Sequence, residues 1–382
     1  MTAAPTSLST LRAHYPLLAS CTYLNSNSTG ALPVAVERVL REYWDTMRAW
    51  RDDAWERWMD GIFGYANTVA RLIGAPPGSV ATDVSLSTLL GRLGTSFDWS
   101  GPRRRVVVTD LEFPTVPFLW KGFERYGAEL VVVPSRDGRV DEERLCSAID
   151  ERTLLVSVSH GSFSTGAVLD AARVAKAAHA MGALIALDAY QTVGTVPVDV
   201  GALDVDFLLG GAHKWLSGSE VAYLYTRPSL LPTLRPAATG WLAGDAPFTF
   251  QPSGDYAPDA RRLMAGTPAP LLALLSRPGL DLLLSVGVEA IRAHSLALTS
   301  RIIARADAAG LTVVTPREPH RRGGVVCLRF PGDTDVVKRL AAKSFICSHR
   351  GSLRIGPHFY NTAEEVEAFM DALTEEHRRA AA

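Results

Sequence analysis

The 382-residue chain holds only five lysines, Lys121, Lys176, Lys214, Lys338 and Lys343, so a search for a catalytic amine is short. Lys214 alone directly follows a short apolar run, VDFLLGG, that reads as a strand. Lys176 lies within a helical pattern, Lys121 follows one, and the other two fall far downstream. A second run, ALIALD, ends on Asp188. A lysine at one strand end and a carboxylate at another are what a pyridoxal phosphate (PLP) site needs. The amine forms a Schiff base and later shuttles protons, while the carboxylate keeps the pyridine nitrogen protonated so that the ring accepts electrons from a substrate α-carbon. The alternative is a surface lysine and a helix-capping aspartate, and spacing alone does not separate the two.

Neighbouring residues extend the same chemistry, each beside a plainer reading. Ser87 and Thr88, in SLSTLLGRLG, stand at the start of a helical pattern, where N–H groups and the helix dipole hold a phosphate; simple N-capping is the plain reading. Phe113, in VVVTDLEF, can lie over a pyridine face or belong to the core. Gln191, just past Asp188, can donate to a phenolate oxygen. Arg354, in SLRIG, can clamp a carboxylate through two parallel hydrogen bonds, or be an exposed arginine. Orienting or phosphate-side roles suit His160 and His213, whereas His349 and His358 read as polar residues near the site mouth. Cys347 is expected to be a buried structural thiol.

Strand ends must hold these groups, and the sequence supplies them. Runs at 106–109, 129–134, 154–160, 183–188, 205–211 and 221–226 alternate with helical patterns such as AARVAKAAHAM, which implies βαβ units and a mainly parallel, buried sheet. Ligands of such sheets sit beyond the carboxyl ends of the strands. Before the first strand, residues 33–73 read as two consecutive helices whose Trp44, Trp50, Trp55 and Trp58 form a band expected at a dimer contact. Beyond Pro278 one long helix, the strands LTVVT, GVVCLRF and SLRIG, and two further helices suggest a separate α+β domain. The Pro/Gly-rich piece 232–270 reads as a functional loop region. The expected division is an N-terminal segment, 1–29, joining the small domain; a large PLP-binding domain, 30–280; and a small C-terminal domain, 281–382.

Composition narrows the functional classes. Hydrophobic residues make up 47% and charged residues 21%, and 39 Lys+Arg against 40 Asp+Glu leave a net charge of -1. That excludes a disordered polypeptide and gives no basic field for nucleic acid. Cys21, Cys146, Cys327 and Cys347 are scattered without a C-x-x-C pair, so neither a metal site nor a disulfide framework is expected. Residues 1–20 carry no continuous apolar run, and the Leu-rich stretch 271–288 is interrupted by Arg277, Pro278 and Asp281. The expectation is a cytoplasmic protein without a membrane span. No G-x-G-x-x-G turn follows the first strand, which sets aside a dinucleotide-binding oxidoreductase.

The segment ALIALDAYQTVGTVPVDVGALDVDFLLGGAHKWLSG, with YLNSNSTGALP, DLEFPT, SLST, GWLAG, MAGTPAP and LRIGPHFYNTAEEV, resembles the class V aminotransferase group of fold-type I PLP enzymes. Kynureninase, isopenicillin N epimerase and the cysteine desulfurases belong to that group. The resemblance runs from about Tyr23 to Leu373. It implies an α/β fold with a mostly parallel seven-stranded sheet in a large domain, a smaller α+β C-terminal domain, and a homodimer with sites at its interface. It implies PLP bound on Lys214, Asp188 against the pyridine nitrogen, Gln191 near the ring oxygen and Phe113 stacked on the ring. Ser87, Thr88 and His213 match phosphate-side positions. Trp241 and Thr267 match residues that reach the site from the other subunit, and Arg354 and Ser28 match substrate-binding positions.

Departures from the pattern direct the functional reading. Phe113 stands where desulfurases have histidine, and CSHRGSLR, residues 347–354, is too short for a mobile persulfide loop. Gln191 and His213 replace the histidine and tyrosine of kynureninase, and Phe163 replaces an asparagine common in relatives. The resemblance implies an enzyme acting on an α-amino acid through an external aldimine and a quinonoid. A kynureninase-like lyase cleaving a C–S or C–C bond in the substrate side chain is preferred, because no second pocket for a substrate carboxylate is legible. The alternatives are a class V aminotransferase, an amino-acid epimerase and, more remotely, a noncatalytic scaffold.

Overall fold

The computed structural model describes residues 8–50, 52–251 and 254–381, so the first seven residues of the N-terminal segment and two positions of the 232–270 region lie outside it. Seven strands form the central sheet, in the spatial order Val80–Asp83, Ala222–Thr226, Phe207–Gly211, Leu184–Asp188, Thr153–Ser159, Arg105–Thr109 and Glu129–Val133. The last five run parallel, and Ala222–Thr226 pairs antiparallel with both of its neighbours. Val106, Val107, Val108, Val156, Val158, Ile185 and Leu187 are all buried, as continuous apolar strands covered on both faces must be.

The C-terminal part has its own core. A four-stranded sheet, ordered Ser348–His349, Leu353–Ile355, Val326–Arg329 and Thr312–Val313, packs under the helices Val288–Ala308, Asp333–Ala342 and Ala363–Ala381. The N-terminal strand Thr22–Tyr23 pairs in parallel with Phe345–Ile346, and Leu24 is buried in this second core beside Ile302, Val326 and Phe369.

The structure adds detail in three places. The strand Val80–Asp83 was not anticipated, because a four-residue VATD carries almost no period-2 signal. The long helix expected beyond Pro278 forms as Val288–Ala308, and a further helix, Pro270–Val286, precedes it, bent from it by 84° at Gly287, whose φ of 85° only glycine adopts readily. Pro278 itself lies inside the first helix. The 232–270 region, expected to be a loop region, folds into short 3-10 turns hooked by buried arginines. Arg92 pairs with Asp83 at 2.8 Å and donates to the carbonyls of Ala238 and Leu263, both at 2.7 Å. Among the described residues no single helix is long and apolar enough to cross a membrane.

The helices Ala35–Arg48 and Ala54–Leu72 form as the apolar spacing predicts. Trp58 is buried at the centre of the tryptophan band with Tyr43, Trp50 and Trp55 around its ring, while Trp44 remains 65% exposed with Leu40 and Met47 beside it on the same helix face.

Candidate active site

The parallel register places the chemistry. Asp188 closes its strand opposite Leu209 on one side and Ser159 on the other, and Lys214 stands in the turn that follows Phe207–Gly211. These strand ends open into a cavity of about 310 Å³ whose lining includes Asp188, Lys214, Phe113 and Arg354. Open α/β sheets offer their binding crevice at this end.

Lys214 is set up as a nucleophile. Desolvation brings its amine down from the ordinary 10.5 to about 8, opposed by the carboxylate of Asp188 and reinforced by the charge of Arg354. The amine lies 4.5 Å from the ring centroid of Tyr190 and 5.8 Å from that of Phe113, close to aromatic faces that tolerate a cation without fixing it. Burial raises the Asp188 carboxyl, against the N–H of Tyr190 donating to Oδ1 at 2.9 Å and the positive charge of Lys214. Among the described residues Oδ2 of Asp188 has no hydrogen-bond donor, so it is free to face a protonated ring nitrogen.

The expected companions stand around this pair. Gln191 is buried; its amide donates to the Asn27 carbonyl at 3.0 Å and accepts from Trp215 Nε1 at 3.3 Å, which leaves one amide hydrogen for a ligand. His213 lines the cavity with Nδ1 3.2 Å from the Tyr190 hydroxyl, and burial and the Lys214 charge push it down to about 4, so it is a neutral imidazole. His160 is likewise driven to about 4 by burial; its backbone N–H holds the Asp188 carbonyl and its ring pairs with Thr192. Phe113 lines the wall with 46% of its surface exposed, edge to face with Phe163 at 5.3 Å. Arg354 is only 3% exposed, donates from Nη1 to the Phe163 carbonyl at 3.1 Å, and has a buried Nε without a partner, a guanidinium short of an anion. Ser28 completes the rim.

At the opposite end, the helix Leu86–Gly94 points its N-terminus at the cavity, and Ser87 lines it next to Thr115. Thr88 does not line it. Its hydroxyl pairs with Ser85 Oγ at 2.8 Å and its N–H is capped by the same oxygen, so the capping reading describes this residue. Trp241 and Thr267 lie outside too, each in a separate pocket of the same protomer. His358 is not at the mouth: it is fully buried, with Nε2 2.7 Å from the Trp215 carbonyl, and His349 pairs with Asp333 at 3.0 Å. Cys347 is buried and its thiol is pushed up to about 12, as expected of a structural thiol. Among the described residues no group of three or more His, Cys, Asp or Glu side chains forms a metal site.

Sequence reasoning passed over four residues. Ser85 and Tyr190 adjoin residues it selected, and Asn27 adjoins Ser28. Arg350, on the loop before the strand Leu353–Ile355, lines the cavity and sets a second guanidinium near Arg354, although no second anion pocket was legible. A basic residue four positions before a clamp arginine was the available signal.

A near-neutral amine, a carboxylate with an open oxygen, a flat aromatic wall and a helix start flanked by hydroxyls fit the aldehyde, ring nitrogen, ring face and phosphate of PLP. Comparison with known proteins agrees. A family model described as aminotransferase class-V matches residues 22–369. The protein is 33% identical over 361 residues to the uncharacterized aminotransferase YcbU of Bacillus subtilis, covering 94% of this sequence and 95% of that one. It is 30% identical over 367 residues to kynureninase of Pseudomonas fluorescens, covering 90% and 85%. In fold it is similar to the apo cysteine desulfurase of Thermococcus onnurineus, with a TM-score of 0.86 and 23% identity over 97% of this sequence and 98% of that one. It is equally similar to the cystine C-S lyase C-DES in complex with cysteine persulfide, with a TM-score of 0.86 and 20% identity over 94% and 99%.

Proposed function

The protein belongs to the aminotransferase class-V family of enzymes, and on that premise we propose that it is a PLP-dependent lyase cleaving a C–S or C–C bond in the side chain of an α-amino acid. When bound, PLP supplies an aldehyde that captures an amine and a protonated ring that accepts the electrons released at the substrate α-carbon. Lys214, with its lowered proton affinity, offers the amine to that aldehyde and afterwards takes the α-proton. Asp188 holds the ring nitrogen proton through its open oxygen. Ser87 and the first N–H groups of Leu86–Gly94 hold the phosphate. Arg354 receives the substrate carboxylate, which supplies the anion its buried Nε lacks.

The observation that carries the lyase reading is the aromatic pair Phe113 and Phe163 lining the cavity beside Arg354. It offers an apolar wall for the substrate side chain, and the kynureninase relatives support the same reaction class. Arg350 favours a second reading, transamination, because it could receive the second carboxylate of a dicarboxylic amino donor. Incubating the holoenzyme with candidate amino acids separates the two. Alanine or pyruvate with a released side-chain fragment supports the lyase; a keto acid with the cofactor converted to its amine form supports the aminotransferase and overturns the lyase.

The working form in this reading is a homodimer. Two observations support it: Trp241 and Thr267 stand outside their own protomer's cavity, and the Leu40, Trp44 and Met47 face is exposed.

A further inference from the structure

The turn after Arg105–Thr109 carries a buried carboxyl with no part in the chemistry assigned to Lys214 and Asp188. Glu112 is 6% exposed, one residue before Phe113. Thr109 Oγ1 donates to its Oε1 and Ser159 Oγ to its Oε2, both at 2.5 Å. Among the described residues no arginine or lysine pairs with it. Ser159 closes its strand in register with Asp188 and also lines the main cavity, so a single hydroxyl stands between the Glu112 carboxyl and the Asp188 end of the site.

Behind Glu112 lies a second cavity of about 30 Å³, bounded by Ser159 and by Arg139, Glu142 and Arg321. That is room for one water molecule, against an apolar wall on one side and Ser159, Ser162 and the Glu142–Arg321 pair on the other. Arg321 is committed to Glu142 at 2.8 Å and Arg139 stands 4.0 Å from Glu318, so the charged group that acts on Glu112 is Asp188, on the strand beyond that of Ser159. Burial, helped by the Asp188 charge and opposed by the two hydroxyl donors that favour the ionised form, leaves the Glu112 carboxyl raised from the ordinary 4.5 to about 7.

We propose that Glu112 is a positioning residue acting through Ser159 on Asp188: by exchanging one proton with solvent through the small cavity, it changes the charge beside Asp188 and so the firmness with which Asp188 holds a protonated ring nitrogen. Ionised, it adds negative potential that favours the protonated ring; neutral, it leaves Asp188 to act alone. The inference rests on the PLP reading of the site.

The test compares the full-length wild type with Glu112→Gln and Ser159→Ala. The visible absorbance of bound PLP is titrated between pH 5.5 and 9, and the melting temperatures of the cofactor-free forms are followed over the same range. The wild type is expected to show an inflection near neutrality that Glu112→Gln lacks. Ser159→Ala moves it to higher pH, because a donor favouring the carboxylate is gone. Without cofactor, the wild type loses melting temperature relative to Glu112→Gln as pH rises, since a carboxyl raised by folding costs stability once it ionises. Superimposable absorbance titrations of wild type and Glu112→Gln, with the band present in both, overturn the proposal. Should Glu112→Gln not fold, an unmoved inflection in Ser159→Ala overturns it equally. A wild type that shows no band with PLP overturns instead the cofactor reading beneath it.

Discussion

The carbonyl oxygen of Lys214 lies 2.1 Å from where a Cβ would stand at Gly30, and the N–H of Gly30 donates to the His213 carbonyl at 2.7 Å. The N-terminal segment is thereby laid directly on the backbone of the lysine turn. Gly30→Ala must push that turn away, and overpacking against backbone costs about 1–3 kcal/mol. The expected result is a lower denaturation midpoint together with weaker PLP retention on dialysis. Unchanged retention at reduced stability would separate the fold from the site.

Capture of the cofactor should follow the ionisation of Lys214. Only the neutral amine attacks an aldehyde, so the rate at which cofactor-free protein takes up PLP should rise about tenfold per pH unit below its pKa and level off above it, which lies at about 8. The sign for stability follows from the same group. Its proton affinity is lower folded than unfolded, so the cofactor-free protein gains stability as pH rises from about 8 toward the ordinary lysine value of 10.5. Lys214→Ala should abolish both trends, the borohydride-reducible absorbance band, and activity by about a thousandfold or more.

Arg354→Lys retains the charge and removes the planar fork. Losing one charge-assisted hydrogen bond of about 1.5–3 kcal/mol corresponds to a KM raised roughly 10- to 100-fold. Cofactor absorbance should be unchanged. A comparable loss of kcat with an unaltered KM would place the arginine away from the substrate carboxylate.

Trp44→Glu tests the exposed face of the helix Ala35–Arg48. At 65% exposure the substitution should cost the single protomer little, yet a charge in the middle of an apolar contact should dissociate a dimer. Sedimentation of the variant as a monomer, with activity lost in parallel, is the expected outcome. A dimer of unchanged strength moves the interface elsewhere.

Cys347→Ser should keep activity within about twofold. A buried thiol raised to about 12 is almost entirely protonated near neutrality and is a poor nucleophile. Persulfide found on Cys347 by mass spectrometry after incubation with cysteine would contradict this.

What could be read from the sequence in advance was what repeats or is rare. Continuous β-branched runs such as VVVT and LLVSVS announce buried parallel strands, and a single lysine after a strand announces an amine at a sheet edge. Hence the strands ending at Asp188 and Gly211 fall within two residues of expectation. Illegible were features whose cause lies far along the sequence. The pairing of Thr22–Tyr23 with Phe345–Ile346 has no local pattern, and the helix break at Gly287 is one glycine in a good helical run. Glu112 looks like any acidic residue in a turn until Thr109 and Ser159 close on it. Thr88 was misplaced because a helix start reads the same whether its hydroxyls face a ligand or cap the helix.

The two-residue strand at Thr22–Tyr23 has a temporal consequence. Its partner, Phe345–Ile346, leaves a ribosome more than three hundred residues later, and the stretch that lies on the lysine turn at Gly30 follows the strand directly. A nascent polypeptide can assemble the seven-stranded sheet while Thr22–Tyr23 and the stretch up to Gly30 still lack their docking place. Translation must therefore have passed Ile346 before the pocket closes, so products that stop short of it carry the reactive amine without its enclosure.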